Sequence, residues 1–89
     1  MRKILVRVEE MHIRCGARSA PGKCPIALAI TPLLPAGKRA SVGPKWFNVI
    51  DTEANRDEGR HPLPSTAWDF VYRFDGGFKV EPFEFQVEV

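Results

Sequence analysis

The sequence predicts an α+β domain: a three- to four-stranded sheet, two short helices on one face, and the first and last strands adjacent. Three observations carry this. Apolar residues alternate with polar ones at both ends of the chain, through Ile4, Val6 and Val8 and again through Phe83, Phe85 and Val87. Cys24-Pro25 leads into an unbroken small-apolar run, Ile26-Ala27-Leu28-Ala29-Ile30. The early strand carries Arg2, Lys3 and Arg7, whereas the late one carries Glu84 and Glu88, and opposite charges favour pairing of neighbouring strands.

The elements follow in order. Ile4, Val6 and Val8 alternate with Lys3, Arg7 and Glu9, the period of a half-buried strand, although Leu5 interrupts its polar face. Residues 10–23 are expected to be a loop with one helical turn around Met11 to Cys15, punctuated by Gly16, Ser19, Pro21 and Gly22. Proline lacks an N–H and has a fixed φ, so Pro25 starts a helix with Cys24 as its cap. That helix ends at Ile30 or Thr31, before Pro32 and Pro35, and because nearly every side chain on it is apolar it is expected to be the most buried element.

Arg39 to Val42 and Lys45 to Asp51 are the next strands, separated by Gly43-Pro44; Trp46, Phe47, Val49 and Ile50 suit a pleated, packed surface. Residues 52–63 are expected to be a polar loop and the most mobile part of the chain. Pro64 and Ser65 open a second helix through Asp75. Ala67, Phe70, Val71 and Phe74 form its core face, and Gly76-Gly77 its stop. Phe83 to Val89 then gives the clearest strand alternation, with Pro82 marking its start or an edge.

At 89 residues, 1–89 form a single domain with no room for a second. A hydrophobic content of 44% supports one real core and excludes a disordered tail. No apolar stretch approaches the roughly 20 residues of a membrane span. The N-terminus Met1-Arg2-Lys3-Ile4-Leu5-Val6 has a basic start, but Arg7, Glu9 and Glu10 cut its apolar run too early for a signal peptide. A reducing, cytoplasmic setting without membrane contact is therefore expected.

The net charge of +2 conceals a division: residues 1–45 carry +7 and residues 46–89 carry −5. Such asymmetry fits a basic surface for nucleic acid or an acidic protein, an acidic surface that mimics nucleic acid, or two halves that neutralise each other within the fold.

Candidate chemistry is sparse. A thiol at the cap of a helix faces unpaired amides and the positive dipole end, which favours thiolate at Cys24. Cys15 and Cys24 lack zinc-finger spacing, and His12 and His61 would have to complete any site. A Cys15–Cys24 disulfide does not suit a reducing compartment. His61 lies near Asp57 and Glu58, but no Ser or Cys stands beside it in any catalytic motif; it and His12 read as solvent-exposed. Asp51, Glu53, Asp57 and Glu58 lack the spacing and glycine of a calcium loop, and Gly22-Lys23 is not followed by Ser or Thr as a phosphate loop requires. Neither catalytic residues, metal nor cofactor are expected.

Two surface features remain. Arg14, Arg18 and Lys23 converge near the helix start at Pro25 and form the candidate anion-binding loop. Trp68 and Tyr72 share one helix face at i and i+4, offset from the core face, and form a candidate interface with aromatic anchors. With Trp46 and Phe47, and with Lys38, Arg39 and Lys45 nearby, the same rings are also candidate stacking platforms for single-stranded nucleic acid.

The segments Cys24-Pro25-Ile26-Ala27-Leu28-Ala29-Ile30, Phe70-Val71-Tyr72-Arg73-Phe74-Asp75-Gly76-Gly77 and Val80-Glu81-Pro82-Phe83-Glu84-Phe85 resemble a group of small proteins encoded by bacteriophages and prophages. The shared features are a "CP-[IV]-A-L-A" helix, a helix ending in "F-D-x-G" and a closing "V-x-P-F-x-F" strand; residues 36–63 are unmatched. The resemblance brings no catalytic residues with it. It implies a protein that binds and inhibits a host or defence complex, such as a CRISPR effector. The expectation is a non-enzymatic binding protein whose partner is such a complex, with nucleic-acid binding through the basic half as the alternative. The oligomeric state is left open, because either sheet edge could accept a strand.

Overall fold

The computed structural model describes residues 2–89. The elements are β1 (Lys3–Val8), α1 (Glu10–Cys15), α2 (Pro25–Ile30), β2 (Lys38–Val42), β3 (Trp46–Asp51), β4 (Arg56–Pro62), α3 (Ser65–Asp75) and β5 (Phe83–Glu88), with a 3-10 turn at Thr31–Leu33. The chain is α+β, and its terminal strands are neighbours, as the charge pattern predicts.

β1 and β5 run antiparallel, with Lys3 opposite Glu88 and Arg7 opposite Glu84. Arg2 and Val89 exchange both backbone hydrogen bonds at 2.9 Å. Pairs alternate along an antiparallel ladder, so Arg7 and Glu84 occupy a non-hydrogen-bonded position, where side chains approach most closely. Their side chains meet with Nε 3.3 Å from Oε2.

Strand content exceeds the sequence expectation: five strands divide into two sheets, β1-β5 and β2-β3-β4. The addition is β4, which forms in the expected polar loop. All but His61 of its residues are exposed, so it carries no apolar alternation to announce it; its partner β3 supplies the order. The turn before it is held by Asp51, whose Oδ1 accepts the N–H of Glu53 at 3.0 Å and of Ala54 at 3.1 Å. Between Asn48 and Ile50 the register shifts by one residue, and Gly59 accommodates the bulge at φ +120°.

Helix α2 packs against both β1 and β2, and β4 approaches β5, so the two sheets share one core. Ile26, Ala27 and Ile30 of α2 are fully buried with Val6, Ala40, Phe47 and Ala67. Phe70 of α3 stacks on Phe83 with ring centres 4.8 Å apart, and Phe83 on Phe85 at 5.3 Å, joining α3 to β5. Among the described residues no helix is long and apolar enough to cross a membrane.

Candidate functional site

A groove of about 1010 Å³ opens between α3, the 19–24 loop and the β2–β3 turn. Each wall has a sequence-level cause. On α3, burying Ala67, Phe70, Val71 and Phe74 turns the Trp68/Tyr72 face away from the core and into the groove. The opposite wall contains Ala20 and Pro21, and Gly43, Pro44 and Lys45 form the end. Cys24, Val42 and Val71, all buried, form the floor.

The loop wall is fastened on three sides. Lys23 N–H donates to the Ala20 carbonyl at 2.9 Å, closing a turn, and Val42 N–H donates to the Pro21 carbonyl at 2.9 Å. Ser19, held at φ 55°, donates its N–H to Asp75 Oδ1 at 2.9 Å, tying the loop to the end of α3. A segment expected only to be a loop is thus a braced wall.

Trp68 and Tyr72 differ in role. The Trp68 indole N–H donates to the Leu63 carbonyl at 2.6 Å, and Lys45 Nζ sits 5.0 Å from the ring centre. Trp68 is therefore a fixed, half-buried part of the wall. Tyr72 is 73% exposed and stands at the rim.

The stacking-platform reading loses two of its four rings here. Phe47 is fully buried and stacked on His61 at 5.2 Å, and Trp46 carries the Arg60 guanidinium 4.2 Å from its ring centre.

The predicted basic cluster is only partly assembled. Arg18 and Lys23 flank the loop wall; Arg18 lies over Gly77, where an added Cβ would be 3.7 Å from its Cζ. Arg14 is exposed on α1, away from that wall, and none of the three is among the residues that line the groove. None of the three joins an ion pair among the described residues, whereas Lys38 is held by both Glu58 and Asp51. That contact raises the Lys38 pKa, chiefly through its hydrogen bond to Glu58.

Cys24 corrects the thiolate expectation. Its pKa is raised because burial penalises the charged form. The amides of Ile26 and Ala27 do favour thiolate, as cap logic requires, but burial outweighs them and Asp75 adds to the rise. At 3% exposure it is a floor residue. The histidines are also not the free side chains expected: both are half-buried, His12 Nδ1 accepts the Glu9 N–H at 2.8 Å, and His61 stacks on Phe47. Cys15 and Cys24 are both free thiols.

The residues that sequence reasoning missed are Pro21, Val42 and Pro44 of the groove; Lys45 reads from the sequence only as a cation beside the stacking rings. The one available signal was the Gly43-Pro44 break, which reads as a turn but not as a wall. Compared with protein-family models, curated proteins and solved structures, the chain matches none.

Proposed function

We propose that this chain is a non-enzymatic binding protein of phage type, which docks onto a host or defence protein complex through the groove walled by Trp68 and Tyr72 and acts in the bacterial cytoplasm. One observation carries the docking reading. An apolar groove is flanked by a tyrosine that is 73% exposed and by a tryptophan held rigid through Leu63. A rigid aromatic wall such as Trp68 loses little side-chain freedom on binding, and an exposed tyrosine beside a concave apolar surface is a frequent anchor of protein recognition. The phage setting and the inhibitory role rest on the resemblance of the Cys24, Phe70 and Val80 segments alone.

A second reading is favoured by a different observation. Arg14, Arg18 and Lys23 are exposed without ion-pair partners among the described residues, as a phosphate-binding surface would require.

Affinity capture from bacterial lysate, with and without nuclease and with wild type beside Tyr72→Ala, separates the two. The docking reading expects a stoichiometric protein that survives nuclease and is lost about tenfold with Tyr72→Ala, the size of effect removal of an anchor gives. Recovery that collapses with nuclease moves nucleic acid to first place. Equal retention by Tyr72→Ala removes the groove.

A further inference from the structure

We propose that the segment filling the groove is an acidic stretch of a partner protein, with an aromatic or aliphatic anchor between carboxylates at either end; this rests on the docking reading above. The balance of engaged and unengaged charge around the groove supports it.

Two carboxylates line the groove: the charge of Asp69 is met by Arg73, whereas Asp75 accepts only a neutral amide and keeps its charge. Asp69 Oδ2 accepts from Arg73 Nε at 2.8 Å, and Asp75 Oδ1 accepts the Ser19 N–H. The cations around the groove outnumber that one carboxylate. Lys45, Arg18 and Lys23 are exposed and meet no carboxylate among the described residues. Lys45 has only the Trp68 ring beneath it. The unmet charge around the apolar floor, three cations against Asp75, is therefore positive on balance, and a ligand that meets it brings negative charge.

The cations are also separated in a useful way. Lys45 stands at the Trp68 end of α3, and Arg18 at the Gly76–Gly77 end. Eight residues of helix from Trp68 to Gly76 span about 12 Å. An extended chain covers that distance in about four residues. The matching ligand has acidic residues some four positions apart, with an apolar side chain between them seated against Trp68, Pro21 and Pro44. Tyr72, at the open rim, covers that side chain from outside.

The test is selection of a displayed library of random dodecapeptides on the intact protein, followed by titration of the synthesised winners. Expected winners carry Asp or Glu on both sides of an aromatic or Leu residue. Their affinity should fall about tenfold with Tyr72→Ala, and about tenfold with the pair Arg18→Glu and Lys23→Glu. Charge-neutral Arg18→Gln and Lys23→Gln should give a smaller loss in the same direction. Thermal melts verify that each variant is folded; Tyr72, Arg18 and Lys23 are exposed, so their replacement leaves the core untouched.

Neutral or basic winners that still require Tyr72 would overturn the acidic assignment while leaving the docking reading intact. Winners indifferent to Tyr72→Ala, or no winners at all, overturn both. A short fluorescein-labelled oligonucleotide that binds more tightly than the winners and displaces them overturns the proposal in favour of nucleic acid.

Discussion

Arg7 and Glu84 meet across the junction of the first and last strands, Nε to Oε2 at 3.3 Å, in a non-hydrogen-bonded register position. The pair joins the basic half of the sequence to the acidic half, so part of the charge division is resolved by strand pairing. Both side chains are more than half exposed, which limits the strength of the interaction.

Charge reversal tests that register. Arg7→Glu should cost about 0.5 kcal/mol by chemical denaturation, and adding Glu84→Arg should recover most of it. A double variant no more stable than the single would mean that the two side chains do not interact in solution.

The two groove aromatics should separate in stability as they do in burial. Trp68→Ala removes a packed ring and its hydrogen bond to Leu63, and should cost about 3 kcal/mol. Tyr72→Ala should stay within about 0.5 kcal/mol of wild type. Comparable losses in urea unfolding would show that Tyr72 packs more than its exposure implies.

Gly16 is a position of close approach. A Cβ there would lie 2.7 Å from both Cδ and Cγ of Pro25, the rigid first residue of α2. The proline ring cannot rotate aside, so Gly16→Ala should destabilise by about 1–3 kcal/mol. An unchanged melting temperature would mean that α1 slides along α2 at little cost.

Alkylation distinguishes the two thiols. Iodoacetamide at neutral pH should modify exposed Cys15 and leave Cys24 largely unreacted until the protein unfolds, because Cys24 is buried and its pKa is raised by that burial. Peptide mapping that finds Cys24 modified first would restore a chemical role for it.

Acid should loosen the β3–β4 hairpin. The pKa of Asp51 is lowered, first by the Ala54 amide, and that of Asp57 first by the Gly59 amide and then by the Asn48 side chain. A carboxyl with a depressed folded-state pKa contributes stability above its unfolded value of about 3.9 and loses it as pH falls through the folded value. The melting temperature should therefore drop below about pH 4, and less steeply in Asp57→Asn. Equal slopes for the two proteins would exclude Asp57 from the effect.

Which features the sequence discloses follows from how far each depends on distant residues. The terminal strands and α3 were legible because alternation at Val6/Val8 and Phe85/Val87, and the offset of Trp68 and Tyr72 from Phe70 and Phe74, are local patterns. β4 was not, because an edge strand exposed on both faces carries no hydrophobic period. At Cys24 the local cap signal pointed toward thiolate, and burial in the packed core, with Asp75 adding to it, reversed it. Half the groove was readable from α3; the other half exists because the Pro21 carbonyl meets Val42, a contact between residues 21 positions apart.

The β1–β5 pairing also has a consequence in time. β1 cannot complete its ladder until residues 83–88 have emerged from the ribosome, so Val6 and Val8 must remain without their strand partners while the intervening chain is made. The β2-β3-β4 hairpins need only short loop closures and can form first, leaving the long closure to the end. Folding of this domain should therefore be limited by its last-made strand, and during synthesis β1 is the segment most exposed to mispairing with another chain.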